Sequence, residues 1–468
     1  MKKKRNIILE NIKLFTAGAK GIAIGKTEDG KTVLVSGAVP GDVVNARVKK
    51  SKSKYYEAEV VEVLEESPFR VEPKCIHFGA CGGCKWQNMS YEKQLEFKQE
   101  EVYNNIKRIG GIDNFQILPI LGSEQDYFYR NKMEFSFSNA RWLTAEEIDS
   151  QTDINDKNAL GFHIPGMWSK ILDLKECFLQ EAPSNAIRLA VREYGDKNGL
   201  DFFDVKSQEG FLRTLMMRQN SKGEWMVLFQ LFREEKENSE KLFDFLLEAF
   251  PQIKTLVYAI NPKQNDSIYD LDINTYFGNG FLMEEMDGLK FKIGPKSFFQ
   301  TNYKQALELY RKTLEFADLK GNEVVYDLYT GTGTIAQYVA RKAKQVIGIE
   351  SVQEAIDAAI EHAELNGLTN CTFYCGDMKD IFNDEFLQNH PKADVLITDP
   401  PRDGMHQKVV EQILKLSPDK IVYVSCNSAT QARDLALMKE DYTLVKILPV
   451  DMFPQTHHVE NIALLIKK

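Results

Sequence analysis

The most constraining feature of this sequence is the alternation of short apolar runs and helical stretches from Asn302 onwards. EVVYDLYTG, KQVIGIE, CTFYCGD, ADVLITDPPR and KIVYVSCN each end in polar or turn residues, and helical patterns follow, beginning near Ile335 and Val352 for the first two. Strands that are apolar throughout need cover on both faces, and intervening helices supply it. The pattern therefore predicts a doubly wound α/β parallel sheet of the Rossmann-like kind. YTLVKILPV and NIALLIKK, separated only by a loop, are expected to form an antiparallel hairpin at its edge.

The preceding sequence has a different grain. Residues 1–67 hold short segments rich in Val, Ile and Ala, broken by Gly18, Gly21, Gly25, Asp29-Gly30 and Pro40-Gly41-Asp42, a turn density that predicts a small, OB-like β-barrel. Tyr91–Arg108 spaces its apolar residues as an amphipathic helix does. From Tyr127 to about Gly288, strand-like pieces (KMEFSF, LRTLMM, EWMVLFQLF, TLVYAIN) surround one clear helix, Glu237–Phe250, and predict an α+β region. The partition expected is a barrel over 1–67, an α+β middle domain over 68–290 and the α/β domain over 291–468.

A chain of 468 residues and 43% apolar composition can bury several cores. No apolar run reaches the roughly 18 residues of a membrane span, and MKKKR is not followed by a signal-peptide core, so a cytoplasmic monomer without membrane association is expected. The net charge of −9 is unevenly spread: Met1–Lys54 carries thirteen Lys or Arg against four Asp or Glu. A basic barrel on an acidic body suits RNA, and Lys49, Lys50, Lys52 and Lys54 beside Tyr55 and Tyr56 combine phosphate-binding charge with stacking rings. Arg130 and Lys132 are further candidates for RNA contact.

Four strand ends carry the chemistry. Asp327-Leu-Tyr-Thr-Gly-Thr-Gly-Thr334 lies between strand and helix, and Glu350 ends the next strand, placed to accept hydrogen bonds from ribose hydroxyls. The third glycine of a dinucleotide pyrophosphate turn is missing, which suits a nucleoside cofactor without phosphate. Asp399-Pro-Pro-Arg402 and Ser425-Cys426-Asn427 fall at the carboxyl ends of their strands, the edge where open α/β sheets bind ligands.

DLYTGTG, DPPR, SCN and His458-Val-Glu460, in this order and on these elements, resemble the RNA (uracil-5-)-methyltransferase family, and FFQTN around Gln300 fits its region before the sheet. KGIAIGKTEDGKTVLVSGAVPGD resembles the TRAM RNA-binding domain carried by many members. The resemblance implies an S-adenosylmethionine-dependent enzyme in which Cys426 is the nucleophile and Glu460 the proton acceptor, with Gln300, Tyr329, Glu350 and Asp399 contacting cofactor or target base. Thr330 and Thr334 depart from residues common in the family. The chemistry accounts for the groups: carbon 5 of uracil attacks a sulfonium methyl only after a thiolate has added to carbon 6, and a carboxylate must then remove the carbon 5 proton. His457 and His458 are expected to be structural or to touch RNA.

Seven cysteines in a chain without secretion features point to metal or catalytic use. Cys75-x5-Cys81-Gly-Gly-Cys84 puts three thiols on one bent loop, and spacing alone leaves four-cysteine zinc and an iron–sulfur cluster both open. The resemblance implies a [4Fe–4S] cluster whose fourth ligand is Cys177, and favours 23S ribosomal RNA over transfer RNA as substrate. Cys371 and Cys375 are expected in the core. Amino-group methylation would want an aromatic where Arg402 stands, cytosine-5 methylation a Pro-Cys loop, and radical methylthiolation a C-x3-C-x2-C run. A non-catalytic RNA-binding protein would have no need of the intact set Glu350, Asp399, Cys426 and Glu460.

Overall fold

The computed structural model describes residues 7–149 and 156–468; the basic Met1–Arg5 segment lies outside them. Packing divides the chain into two compact units, one of Met1–Lys74, Cys84–Asp126 and Glu308–Lys468, the other of Cys75–Gly83 and Tyr127–Leu307. Among the described residues no helix is long and apolar enough to cross a membrane.

In the first unit, β1 (Ile8–Gly18), β2 (Ile22–Lys26), β3 (Thr32–Ser36), β4 (Val43–Ser51) and β5 (Tyr55–Glu65) close a barrel in the order β1-β2-β3-β5-β4. Alternation places Leu14, Val33, Val35, Val44 and Ala46 inside, all fully buried. Gly25 is required where β1 bulges against β2: a Cβ there would lie 2.7 Å from the Lys13 carbonyl oxygen. The exit is fastened by buried Asp42, which accepts hydrogen bonds from the Val39 and Ser67 amides and from Arg70 at 2.7–2.9 Å.

Helix α1 (Tyr91–Arg108) has the limits expected from its apolar spacing. Its buried face brings Val102 and Ile106 into one core with Ala432 and Leu435 of the helix Ser428–Met438. Lys98, also on that face, forms a buried 2.7 Å ion pair with Asp451. The Trp86 Nε1–H donates to the Gly21 carbonyl, while the Lys85 and Trp86 amides donate to the Gln455 carbonyl, so this segment ties the barrel to the loop preceding Glu460.

The large sheet of this unit has eight strands in the order Cys371–Cys375, Gln345–Glu350, Val324–Leu328, Val395–Thr398, Lys420–Ser425, Glu460–Lys467, Tyr442–Val450, Gln116–Ile117. The first five are parallel, as the alternation requires. The last two long strands are antiparallel, but they do not simply extend the edge. The final strand inserts beside Lys420–Ser425, and the short strand Gln116–Ile117 covers the outside of Tyr442–Val450. Cys371 is only partly buried and Cys375 exposed, against the expectation of core positions, because their strand is the sheet's other edge.

The second unit is built on a seven-stranded sheet ordered Asn274–Phe277, Ile253–Ile260, Trp225–Leu231, Leu212–Gln219, Lys132–Ser138, Ala159–Ile164, Met167–Asp173. Helices Ser184–Lys197 and Lys236–Ala249 cover one face, through Arg188 over the Phe135 ring and Phe243 against Phe229. The first of these helices is not apparent from the sequence pattern.

Candidate active site

The turn after Val324–Leu328 bends through Tyr329, Gly331 and Gly333, all with left-handed φ (62°, 55° and 74°). Glycine tolerates that conformation; Tyr329 is held in it by surrounding bonds. The Thr330 amide donates to the Ile349 carbonyl and the Thr330 hydroxyl to Asp327 Oδ2 at 2.6 Å. Nothing lies within 4 Å of where a Gly331 Cβ would stand, so this backbone faces open space. Glu350 spans the turn and the following helix: Oε2 accepts from the Gly331 amide at 3.1 Å, and Oε1 from the Ser351 amide and hydroxyl and the Val352 amide.

Cys426, one residue beyond the strand Lys420–Ser425, precedes Asn427, whose side chain caps the helix Ser428–Met438. Antiparallel register pairs Ser425 with Asn461, so the next position outward sets Cys426 beside Glu460. Behind them the buried Asn461 side-chain amide donates to Gln431 Oε1 at 2.6 Å, and Gln431 Nε2 donates to the Tyr423 carbonyl, locking that register. Asp399, at the end of Val395–Thr398, donates its amide to the Leu328 carbonyl.

The electrostatics are those of acids crowded at one sheet edge. Burial first, then repulsion by Asp399, raises Glu460 to about 8, against the opposing pull of Arg402. Asp399 is raised to about 7 by burial and by Asp327, and Asp327 to about 7 chiefly by burial. The Cys426 thiol is pushed up to about 11 by burial, Glu460 and Asp399, while the Arg402 guanidinium, within hydrogen-bonding reach of the sulfur, pulls it down. Such a thiol becomes a nucleophile once a base has taken its proton, a loss that Arg402 and neutral acids beside it favour.

Arg402 is a site residue that sequence reasoning missed; it was visible only as the end of DPPR. Its carbonyl is gripped by Asn427 Nδ2 at 3.0 Å and Thr430 Oγ1 at 3.1 Å, which fixes the loop against the Cys426 turn. Buried Tyr310, on the helix Tyr303–Ala317, was also missed; the charges of Asp399 and Glu460 reinforce the upward shift of its phenol. The His457 and His458 rings lie 4.1 Å apart, and burial and neighbouring cations lower His457 to about 4.

The structure thus brings together Tyr329, Glu350, Asp399, Cys426 and Glu460 on one sheet edge. Gln300 belongs to the second unit, where its carbonyl accepts from Asn131 Nδ2 at 2.9 Å. Cys75, Cys81 and Cys177 also lie in that unit, and Cys84 in the first. Burial, together with the charges of Cys81 and Cys75, raises the Cys177 thiol to about 11. Among the described residues no three Cys, His, Asp or Glu side chains are gathered as a metal site. In the barrel, Lys49 and Lys50 pair with Glu59 and Glu57 at 2.7 and 3.4 Å, which leaves Lys52 and Lys54 exposed at the hairpin tip.

This sheet, with its glycine turn and its cysteine and acids at adjacent strand ends, defines an α/β methyltransferase. The model of the tRNA (Uracil-5-)-methyltransferase family matches residues 276–468, and that of the TRAM domain residues 13–61. An RNA methyltransferase of Bacteroides thetaiotaomicron is 52% identical over 96% of this chain and 99% of its own length, and one of Porphyromonas gingivalis 50% identical over 96% and 98%. The crystal structure of Pyrococcus abyssi tRNA (uracil-54, C5)-methyltransferase with S-adenosyl-L-homocysteine is 28% identical, with a TM-score of 0.74 over 97% of this chain and 99% of that one. The chain belongs to the RNA (uracil-5-)-methyltransferase family and is an RNA methyltransferase.

Proposed function

We propose that this enzyme methylates carbon 5 of a uridine in RNA through a covalent bond between Cys426 Sγ and carbon 6 of the base. The observation that carries this reading is the adjacency of Cys426 and Glu460, with Arg402 against the sulfur and Asp399 alongside. Bound S-adenosylmethionine would supply the electrophilic methyl group. The open backbone at Gly331 and the Glu350 carboxylate fit its nucleoside, with Tyr329, Asp399 and Gln300 as further contacts to cofactor or base.

Arg402 stabilises the Cys426 thiolate, whose Sγ–C6 bond forms as the C5–C6 π electrons move into the ring as an enolate. Carbon 5 then takes the methyl group. Glu460, as carboxylate, removes the remaining carbon 5 proton; the C5–C6 double bond re-forms and Cys426 departs as thiolate. The base must enter this crevice single-stranded or flipped out of its stack.

The proposed RNA is 23S ribosomal RNA, supported by the likeness of the cysteine loop to cluster-bearing members; the Pyrococcus structure supports the transfer RNA reading. Mass mapping of 5-methyluridine in both RNAs, from cells with and without the gene, decides. One uridine in 23S RNA should lose its methyl group in the deletion strain, a loss confined to transfer RNA would move the substrate, and no loss in either would reject the function.

Cys75, Cys81, Cys84 and Cys177 are proposed to hold a [4Fe–4S] cluster. Cys177 feels the charge of two of the others, Cys75 and Cys81, and its second-unit position supplies the fourth sulfur the loop lacks. Thiols must lose their protons on loading, and burial raises those of Cys75 and Cys177, so assembly should weaken as pH falls. Anaerobically purified protein should be brown and lose iron in Cys177→Ala; a colourless protein holding one zinc would replace the cluster with the rival metal.

A further inference from the structure

The second unit contains a cavity on the face of its sheet away from the two helices, and no step proposed above uses it. Alternate residues line it: Lys132 and Glu134 on one strand, Arg218 and Met216 opposite, and Gln230 on the next, with Tyr269 at the rim, around about 210 Å³. Their neighbours Phe135 and Phe229 point to the helix-covered face, so the placement of these polar groups follows from strand periodicity.

Two features mark it as a binding site. The register pairs Lys132 directly with Arg218, a cross-strand juxtaposition of like charges that is unfavourable unless an anion sits between them. Arg218 is almost wholly buried, and its guanidinium donates to the Gly294 and Ser297 carbonyls at 3.3 and 3.0 Å, which fixes the loop leading to Gln300. Lys132 lines the cavity, where burial and Arg218 act against its charge and Glu134 is the acid that offsets them. With Lys296 the lining carries three cations against Glu134. The Tyr269 ring beside them is 66% exposed.

We propose that this cavity binds a second nucleotide of the RNA, outside the methylated uridine: its phosphate on Lys132 and Arg218, its base against Tyr269, with Gln230 and Glu134 offering polar groups to the base edge. Charge and an exposed ring together are what single-stranded RNA binding uses. The inference rests on the RNA-methylation reading and adds a recognition site in the middle of the chain, apart from the barrel.

The test uses the full chain and a fluorescent single-stranded oligouridylate, with affinity measured by anisotropy across a salt series. Lys132→Gln should flatten the slope of log Kd against log salt by about 0.7, the value of one single-strand phosphate contact. Lys132→Arg should keep the wild-type slope. Tyr269→Ala, at an exposed position that folding does not depend on, should weaken binding about fivefold or more while leaving the slope in place. If wild-type protein binds steeply with salt and both Lys132→Gln and Tyr269→Ala match it, the cavity is not an RNA site. If wild-type protein neither binds nor methylates RNA, the reading beneath the proposal fails instead.

Discussion

Glu350 and Glu460 stand at the same edge of the same sheet, yet in opposite circumstances. Glu350 is surrounded by donors: three amides and a hydroxyl converge on its two oxygens. Glu460 meets burial and a second carboxylate, and Arg402 only partly offsets them. The first acid is oriented by these donors, the arrangement its proposed contact to a neutral ribose would use. The second is held near the pH at which it exchanges its proton, which suits a group that must gain and lose one in each cycle.

The comparison breaks most sharply at the reacting end. Cys426→Ala should abolish both 5-methyluridine formation and any covalent protein–RNA species. Glu460→Gln should cut turnover by about 10²–10⁴-fold while a methylated adduct accumulates, because addition precedes the step it blocks. The double variant should behave like Cys426→Ala. Denaturing gels with radiolabelled methyl donor read all three, and normal turnover by Glu460→Gln would assign the base elsewhere.

At the cofactor end the loss should be one of affinity. Glu350→Ala should weaken S-adenosyl-L-homocysteine binding about 10- to 100-fold in calorimetry, the effect of removing a charged hydrogen-bond acceptor. Its adduct chemistry at saturating cofactor should change far less. Equal losses in affinity and in adduct formation would erase the distinction between the two ends.

Proton linkage gives a subtler contrast. Glu460 rises from the ordinary glutamate value of 4.5 to about 8 on folding. Below 4.5 folded and unfolded chains both hold that proton; between 4.5 and 8 only the folded chain does, so its contribution to stability falls as pH rises across that window. The melting temperature of the free enzyme should therefore drop towards pH 8, and Glu460→Gln should flatten the drop. Activity should move the other way, rising with pH as the carboxylate forms. The smallest effect expected is that of Gly331→Ala: strain of roughly 1 kcal/mol at a left-handed φ, seen as a modest fall in melting temperature.

Much of this was legible in the sequence because it depends on local pattern. Turn density marked the barrel, apolar spacing the limits of the Tyr91–Arg108 helix, and apolar runs alternating with helices the five parallel strands, which placed Asp327, Glu350, Asp399 and Cys426 at strand ends. The helix Ser184–Lys197 was not legible, since its buried face mixes Ile187 and Val191 with Ser184, Arg188 and Gly195. Cys375 misled for a related reason: an apolar strand does not announce that it lies at a sheet edge.

The sequence by itself determined which residues could do chemistry and on which elements they ride, because strand and helix periodicity and motif order are properties of neighbours along the chain. The tertiary structure alone decided that Cys426 meets Glu460, since the final strand inserts antiparallel beside Lys420–Ser425 and its register joins positions 34 residues apart. It also brought Arg402 to the sulfur and crowded Asp399 and Asp327 at one sheet edge, raising the acids towards neutrality. Burial and charge proximity are sums over atoms from many segments, and no local pattern records them.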